Sequence, residues 1–190
     1  MNSLCFTLTE RVPQLLEADQ CTLYLVDNKH KELWTLSGGV QIRIPIDKGI
    51  AGITATKGEI VNIPDAYKDD RCGGQDFDKK SGYHTKSILC LPIKEETDQG
   101  ETRIVGVLQL INKAGGPFDL GDCNLLEGFL GICAGIISSS QLFNQSSGRE
   151  RKGTEFSDLD GTSAAAQKMQ AMPTFAEGAE DDSDEDDGDF

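Results

Sequence analysis

Histidine occurs only twice in this chain of 190 residues, and tryptophan once. So few imidazoles leave a His/Asp metal centre of the hydrolytic type without ligands. None of the six cysteines, Cys5, Cys21, Cys72, Cys90, Cys123 and Cys133, stands in a Cys-x-x-Cys pair, which removes the usual zinc-binding spacing. Positive charge is also short: 18 Lys and Arg face 32 Asp and Glu, a net of −14. That balance argues against nucleic acid or an anionic membrane as the main partner. The first residues, Met-Asn-Ser-Leu-Cys-Phe-Thr, have neither a basic start nor a long apolar stretch, so no signal peptide is expected. No run is expected to reach the length of a membrane span. A cytoplasmic location is the default, with Cys21, Cys90 and Cys133 as small core residues in a reducing compartment.

Charge and apolar periodicity divide the chain. Residues 1–145 carry 14 basic and 19 acidic residues, whereas residues 146–190 carry 4 and 13. The first part is long enough for one domain with its own core. The second lacks a core pattern and is expected to be a disordered acidic tail. Within the tail, Thr162–Met172 has the composition of a short helix, and Ser183 precedes Asp184, Glu185 and Asp186 as an acidophilic kinase site would require.

Along the first part, Leu4, Leu8, Val12, Leu15 and Leu16 fall near a helical period, with Thr7 and Glu10 at capping-box spacing and Pro13 breaking the pattern. Cys21–Val26 and Glu32–Leu36 read as a hairpin, followed by a half-buried strand 41–45, a short helix Ile50–Thr56 and a short strand 60–63. Residues 65–86 are polar and turn-rich, a candidate lid. Ser87–Ile93 and Val105–Ile111 are the strongest strands, joined by a charged loop Lys94–Arg103. The last helix, 122–143, has two apolar stripes. One is Leu125, Phe129, Ile132, Ile136 and Phe143; the other is Leu126, Leu130, Cys133 and Ile137. This face is wider than one contact surface requires, so the helix is either enclosed between sheet and first helix or also meets a partner helix. The order implies an α+β fold: a mostly antiparallel central sheet with the terminal helices on one face and a lid-covered pocket on the other.

The second of these strands exits into Asn112-Lys113, then a Gly-Gly-Pro loop, Phe118 and Asp122. A Lys at a strand exit and an Asp at a helix start suit an ion pair that ties the two together. Together with Ala18-Asp-Gln-Cys-Thr-Leu-Tyr-Leu-Val-Asp27, Lys48-Gly-Ile-Ala-Gly52, Val61-Asn-Ile-Pro-Asp-Ala-Tyr67 and Gly106-Val-Leu-Gln-Leu-Ile-Asn-Lys113, this stretch makes residues 1–145 resemble a GAF domain. The resemblance is to the type found in cyclic-nucleotide phosphodiesterases and some adenylyl cyclases. Asn112, Lys113, Phe118 and Asp122 fit that family's Asn-Lys-Phe-Asp-Glu signature, with Cys123 in place of the final Glu.

The resemblance implies a pocket for cAMP or cGMP, no catalytic residues, no metal and no resident cofactor. It implies that Asp78 and Thr85 recognise the base edge and that Ser81 hydrogen-bonds the ligand. Leu36 and Ser37 fall where the family often stacks an aromatic ring on the purine. From the residues themselves, the N–H groups of Ile50 and Ala51 open a helix and suit a phosphate. Thr22 and Gln109, on the first and last strands, approach the base from the floor. Three functions are weighed: a regulatory nucleotide-binding module, a structural or dimerisation subunit of a larger ciliary or signalling assembly, and a thiol-dependent methionine-sulfoxide reductase using Cys72. The partners implied are a cyclic nucleotide and a protein, or a second copy, met through the terminal helices.

Overall fold

The computed structural model describes residues 3–37, 40–72, 83–97 and 99–139. The chain begins with helix α1 (Ser3–Leu15) and a meander of three strands, β1 (Ala18–Asp27), β2 (Glu32–Ser37) and β3 (Val40–Pro45). Helix α2 (Gly49–Lys57) and the short β4 (Val61–Ile63) follow, then a 3-10 turn at Asp70–Cys72. The long pair β5 (Ile88–Glu96) and β6 (Thr102–Lys113) leads into helix α3 (Leu120–Ser139). The six strands form one sheet of order β3-β2-β1-β6-β5-β4, and every pairing is antiparallel.

The central strands bury side chains on both faces, and this is why β1 reads as a nearly continuous apolar run. Cys21, Leu23 and Leu25 of β1 join Leu89, Leu91, Leu108 and Leu110 beneath the terminal helices, which contribute Leu8, Val12, Leu126, Leu130, Cys133 and Ile137. The alternate β1 residues Tyr24 and Val26 lie on the other face with Ile88, Cys90 and Val107, covered by Ile50, Ala51 and Ala55 of α2 and by Ala66 and Cys72. The two apolar stripes of α3 are thereby separated. Leu126, Leu130, Cys133 and Ile137 are buried, whereas Leu125, Ile132 and Ile136 are 51%, 76% and 52% exposed.

Several boundaries differ from the sequence expectation. Helix α1 is already under way at Ser3, so Thr7 sits within the helix and is not its cap. Pro13 lies in the last turn, and the chain leaves the helix through Glu17 at φ 52, a left-handed position. The β5–β6 ladder continues through Lys94↔Ile104, Glu95↔Arg103 and Glu96↔Thr102, leaving a shorter loop than the charged sequence suggests. The Glu95–Arg103 ion pair explains this, because opposite charges across a ladder stabilise the pairing. Helix α3 starts at Leu120, two residues before Asp122. It is also long and apolar enough to cross a membrane by length and composition, which corrects the expectation that no run reaches that length; 39% of its apolar window is buried inside the fold.

The β1–β2 register places two carboxylates opposite each other, Asp27↔Glu32. Like charges in that position repel. Arg43 of β3 resolves the conflict by donating from Nη1 to Asp27 Oδ2 at 3.1 Å and to Glu32 Oε2 at 3.0 Å. His30 adds its backbone N–H to Asp27 Oδ1 at 3.1 Å and its ring Nδ1 at 2.8 Å from Oδ2. Burial pushes the Asp27 carboxyl up, and the bonds from His30 and Arg43 more than offset this, holding it below the usual carboxylate range. Stability from this group is therefore fully present above the unfolded-state value near 3.9 and is lost as pH falls through the lower folded-state value. Urea unfolding of Arg43→Leu at neutral pH should show a loss of roughly 2–3 kcal/mol. The difference from the unmodified protein should shrink as the carboxylates protonate on acidification below about pH 4.

Candidate functional site

The sheet face under α2 carries a polar row across its three central strands. Gln109 of β6 pairs in register with Thr22 of β1 on one side and with Cys90 of β5 on the other. All three are buried, at 3%, 7% and 0% exposure. The Cys90 thiol donates to Gln109 Oε1 at 3.5 Å, and the buried Gln109 Nε2 has no partner among the described residues. Thr54 of α2 is fully buried and its hydroxyl faces the Cys90 thiol. An unmet buried donor of this kind costs about 1–3 kcal/mol, so its persistence calls for a compensating role.

Helix α2 closes over this floor. Its first residue, Gly49, takes φ 67, and Lys48 before it makes no side-chain cap bond. A Cβ on Gly52 would stand 2.5 Å from the Ile46 carbonyl oxygen, so only glycine lets the helix lie this close to the preceding turn. The side chains of Ile50 and Ala51 are buried in the sheet-facing core. Their N–H groups belong to the first turn, whose donors have no intrahelical partner.

Thr85 is 4% exposed and lies on the segment that leads into β5. That segment is clamped by Asn112 at the exit of β6. Asn112 adopts φ 56, and its Oδ1 accepts from the N–H groups of Lys86 at 2.6 Å and Ser87 at 3.3 Å. Its Nδ2 donates to the His84 carbonyl at 2.8 Å and to Tyr83 Oη at 3.0 Å. Asp78 and Ser81 lie outside the described residues, and so does the side chain of Ser37. Leu36 does not join the site. It lies with Trp34 against the terminal-helix cluster, because strand alternation sends both to that face and Leu33 to the other. This corrects its assignment to the pocket.

Next to Asn112, Lys113 Nζ bonds Asp122 Oδ2 at 2.6 Å and stands 3.5 Å from Asp119 Oδ2. The bond to Asp122 holds the Lys113 ammonium above its usual range. Asp122 also accepts from the Asp119 N–H at 2.8 Å, and Asp119 accepts in return from the Asp122 N–H at 3.0 Å. This is a reciprocal cap at the start of α3 with Asp in place of the more common Glu. Phe118 is buried beside it, and its carbonyl accepts from Asn62 Nδ2 of β4 at 3.0 Å. The sequence reading missed Asn62, Thr54 and Cys90 as site neighbours. The available signal was a polar residue, Asn62, inside the apolar Val61-Asn62-Ile63 strand.

Cys72 shows no activation as a nucleophile. It is 1% exposed, and burial pushes its thiol up to about 12, assisted by the Asp69 carboxylate and opposed by Arg71. Arg71 itself is held by Asp69, with Nε and Nη2 at 2.8 and 2.6 Å from the two carboxylate oxygens. A thiolate at neutral pH is therefore disfavoured at this position.

Sheet, covering helix and buried polar row define an α+β domain with that row beneath α2 on one face and a terminal helix pair on the other. The GAF domain family model matches residues 1–137, and the chain belongs to that family. Among curated proteins, it is 37% identical over 161 residues to a dual 3',5'-cyclic-AMP and -GMP phosphodiesterase 11A from Takifugu rubripes, covering 75% of this chain and 17% of the relative. It is 31% identical over 168 residues to a probable 3',5'-cyclic phosphodiesterase from Caenorhabditis elegans, covering 80% and 22%. The chain thus spans about a fifth of the length of these relatives. Among solved structures, the GAF domain from an Acinetobacter phosphoenolpyruvate-protein phosphotransferase superposes with a TM-score of 0.58 at 21% identity, covering 76% of this chain and 87% of that one. A free methionine-R-sulfoxide reductase from Neisseria meningitidis gives 0.55 at 19%, covering 75% and 82%. These two likenesses concern the fold alone.

The reciprocal cap gives a direct test. Asp122→Ala removes the acceptor for the Asp119 N–H, and chemical denaturation should register a loss of about 1 kcal/mol or more from the cap alone. An unchanged midpoint would mean that α3 is held by its buried stripe without help from its first turn.

Proposed function

We propose that this GAF domain is a regulatory module whose pocket binds a cyclic nucleotide, cAMP or cGMP. The observation that carries the reading is the buried, unpartnered Gln109 amide nitrogen in the Thr22–Gln109–Cys90 row beneath α2. A purine ring offers acceptors of the kind this donor lacks, and both adenine and guanine do so. The first turn of α2, with Ile50 and Ala51, supplies N–H groups for a cyclic phosphate without an Arg. Thr85, Asp78 and Ser81 would approach from the lid side. The printed names of the relatives, which are cyclic-nucleotide phosphodiesterases, support the ligand class. The module is read as non-catalytic, without a cofactor, and cytoplasmic.

The floor donor makes the test specific. Gln109→Leu should leave the stability of the unliganded protein unchanged or raise it, because a buried unmet donor disappears. In the same variant, calorimetric affinity for the nucleotide should fall by about tenfold or more. Absence of heat with both nucleotides for the unmodified protein, or equal affinity for the variant, would overturn the reading.

A second reading, compatible with the first, concerns assembly. The exposed α3 ridge carries Ile132 at 76% exposure beside Gly128 and Gly135, where a built Cβ would meet nothing within 4 Å. Large side chains next to open glycines suit close approach of another helix, from a second copy or a protein partner. Sedimentation of the full chain should show an associated species that Ile132→Asp converts to monomer. A monomer at all concentrations would remove the second copy as the partner.

A further inference from the structure

The helices α1 and α3 enclose an open groove on the side away from the sheet, with a volume of about 450 Å³ and walls made by Thr7, Arg11, Val12, Leu15, Leu125 and Phe129. Its apolar lining is unusually accessible: Leu15 is 67%, Leu125 51% and Phe129 37% exposed. At its rim, Arg11 donates from Nη1 to the neutral side chain of Gln14 at 3.2 Å and not to a carboxylate. The groove therefore asks for an apolar occupant with negative charge at one end.

The chain contains such a segment. Residues 162–175, which lie outside the described residues, read Thr-Ser-Ala-Ala-Ala-Gln-Lys-Met-Gln-Ala-Met-Pro-Thr-Phe. Ala, Gln, Lys and Met are strong helix formers, Thr162 and Ser163 suit a cap, and Pro173 suits a stop. Ala165, Met169 and Met172 would share one helical face, and two of the three methionines of the chain are found here. Methionine adapts to irregular apolar grooves. Immediately beyond, Glu177, Glu180, Asp181 and Asp182 begin the acidic run, complementary to Arg11.

Reach is sufficient. Helix α3 ends at Ser139, and residues 140–161 separate it from the segment. Random-coil dimensions for 22 residues correspond to a root-mean-square span of roughly 26 Å. The groove wall at Leu125 lies roughly 21 Å back along α3. At this length a tethered segment meets the groove at high effective concentration, so modest contacts suffice.

We propose that residues 162–175 dock in cis in the α1/α3 groove, with 162–172 as an amphipathic helix and the following acidic run set against Arg11. The contact is independent of what binds at the Gln109 row on the opposite sheet face. Its occupant is this chain's own segment and not the helix of a second copy, which has the exposed α3 ridge available beside the groove.

Photocrosslinking of the full chain decides the matter. Leu15 is exposed, so Leu15→p-benzoylphenylalanine should not disturb folding, which a far-ultraviolet spectrum and melting curve verify. On irradiation, the main product should run at monomer mass, and peptide mapping should join position 15 to residues 162–175. Its yield should not change on about tenfold dilution, as expected for an intramolecular contact. It should fall by about tenfold when Met169→Glu and Met172→Glu are combined, because two charges enter an apolar groove. Arg11→Glu should lower it as well. A product at dimer mass joining two grooves, a link to any other segment, absence of a link, or a yield indifferent to the methionine changes would each overturn the proposal.

Discussion

The Lys113–Asp122 ion pair is the joint on which the arrangement of the domain depends. It fastens the end of a central strand to the first turn of the last helix, and the same Asp122 caps that helix together with Asp119. One residue earlier, Asn112 takes a left-handed turn and spends its whole amide on the segment that leads into β5. Two neighbouring residues thus orient two different elements. Asn112 sets the path of the chain through Thr85, and Lys113 sets the direction of α3.

This joint divides the molecule into its two working faces. Strand β6 has Leu108 and Leu110 under the helices and Val107 under α2, so its pleat determines which side each neighbour serves. Gln109 is the exception in that apolar strand. Its buried Nε2 has no partner among the described residues, against the general rule that interiors satisfy their donors. A local violation of this kind is expected where function overrides stability. On the helix side the corresponding feature is surface that the fold leaves uncovered, the groove with Leu15, Leu125 and Phe129 and the ridge with Ile132.

Much of the fold was legible in the sequence because its signals are periodic. The two stripes of the last helix, the compact apolar run of β1 and the Asn112-Lys113 exit are each visible in the sequence. Leu36 was misplaced because the site was set by its position along the strand, whereas side-chain direction is fixed by alternation, and Trp34 already pointed to the helix face. The β5–β6 loop is shorter than the sequence suggests, because Lys94, Glu95 and Arg103 look like loop residues although the Glu95–Arg103 pair across the strands supports a ladder. The expected helix 122–143 already has membrane-spanning length, and its apolar width reads equally well as a packing face, which is how part of the observed helix is used. Asn62 stands out as a polar residue inside an apolar strand, whereas the relevance of Thr54 and Cys90 comes from elements that only the folded sheet brings together.

The central claim is that the floor amide of Gln109 receives a ligand. The most direct measurement is nitrogen-edited magnetic resonance of the Gln109 side-chain amide, assigned by comparison with Gln109→Leu, during titration with cAMP and then cGMP. The account predicts that one or both nucleotides move this resonance to a saturating new position as Nε2 gains an acceptor. A resonance that stays in place through the titration, while the rest of the spectrum also remains unchanged, would contradict it.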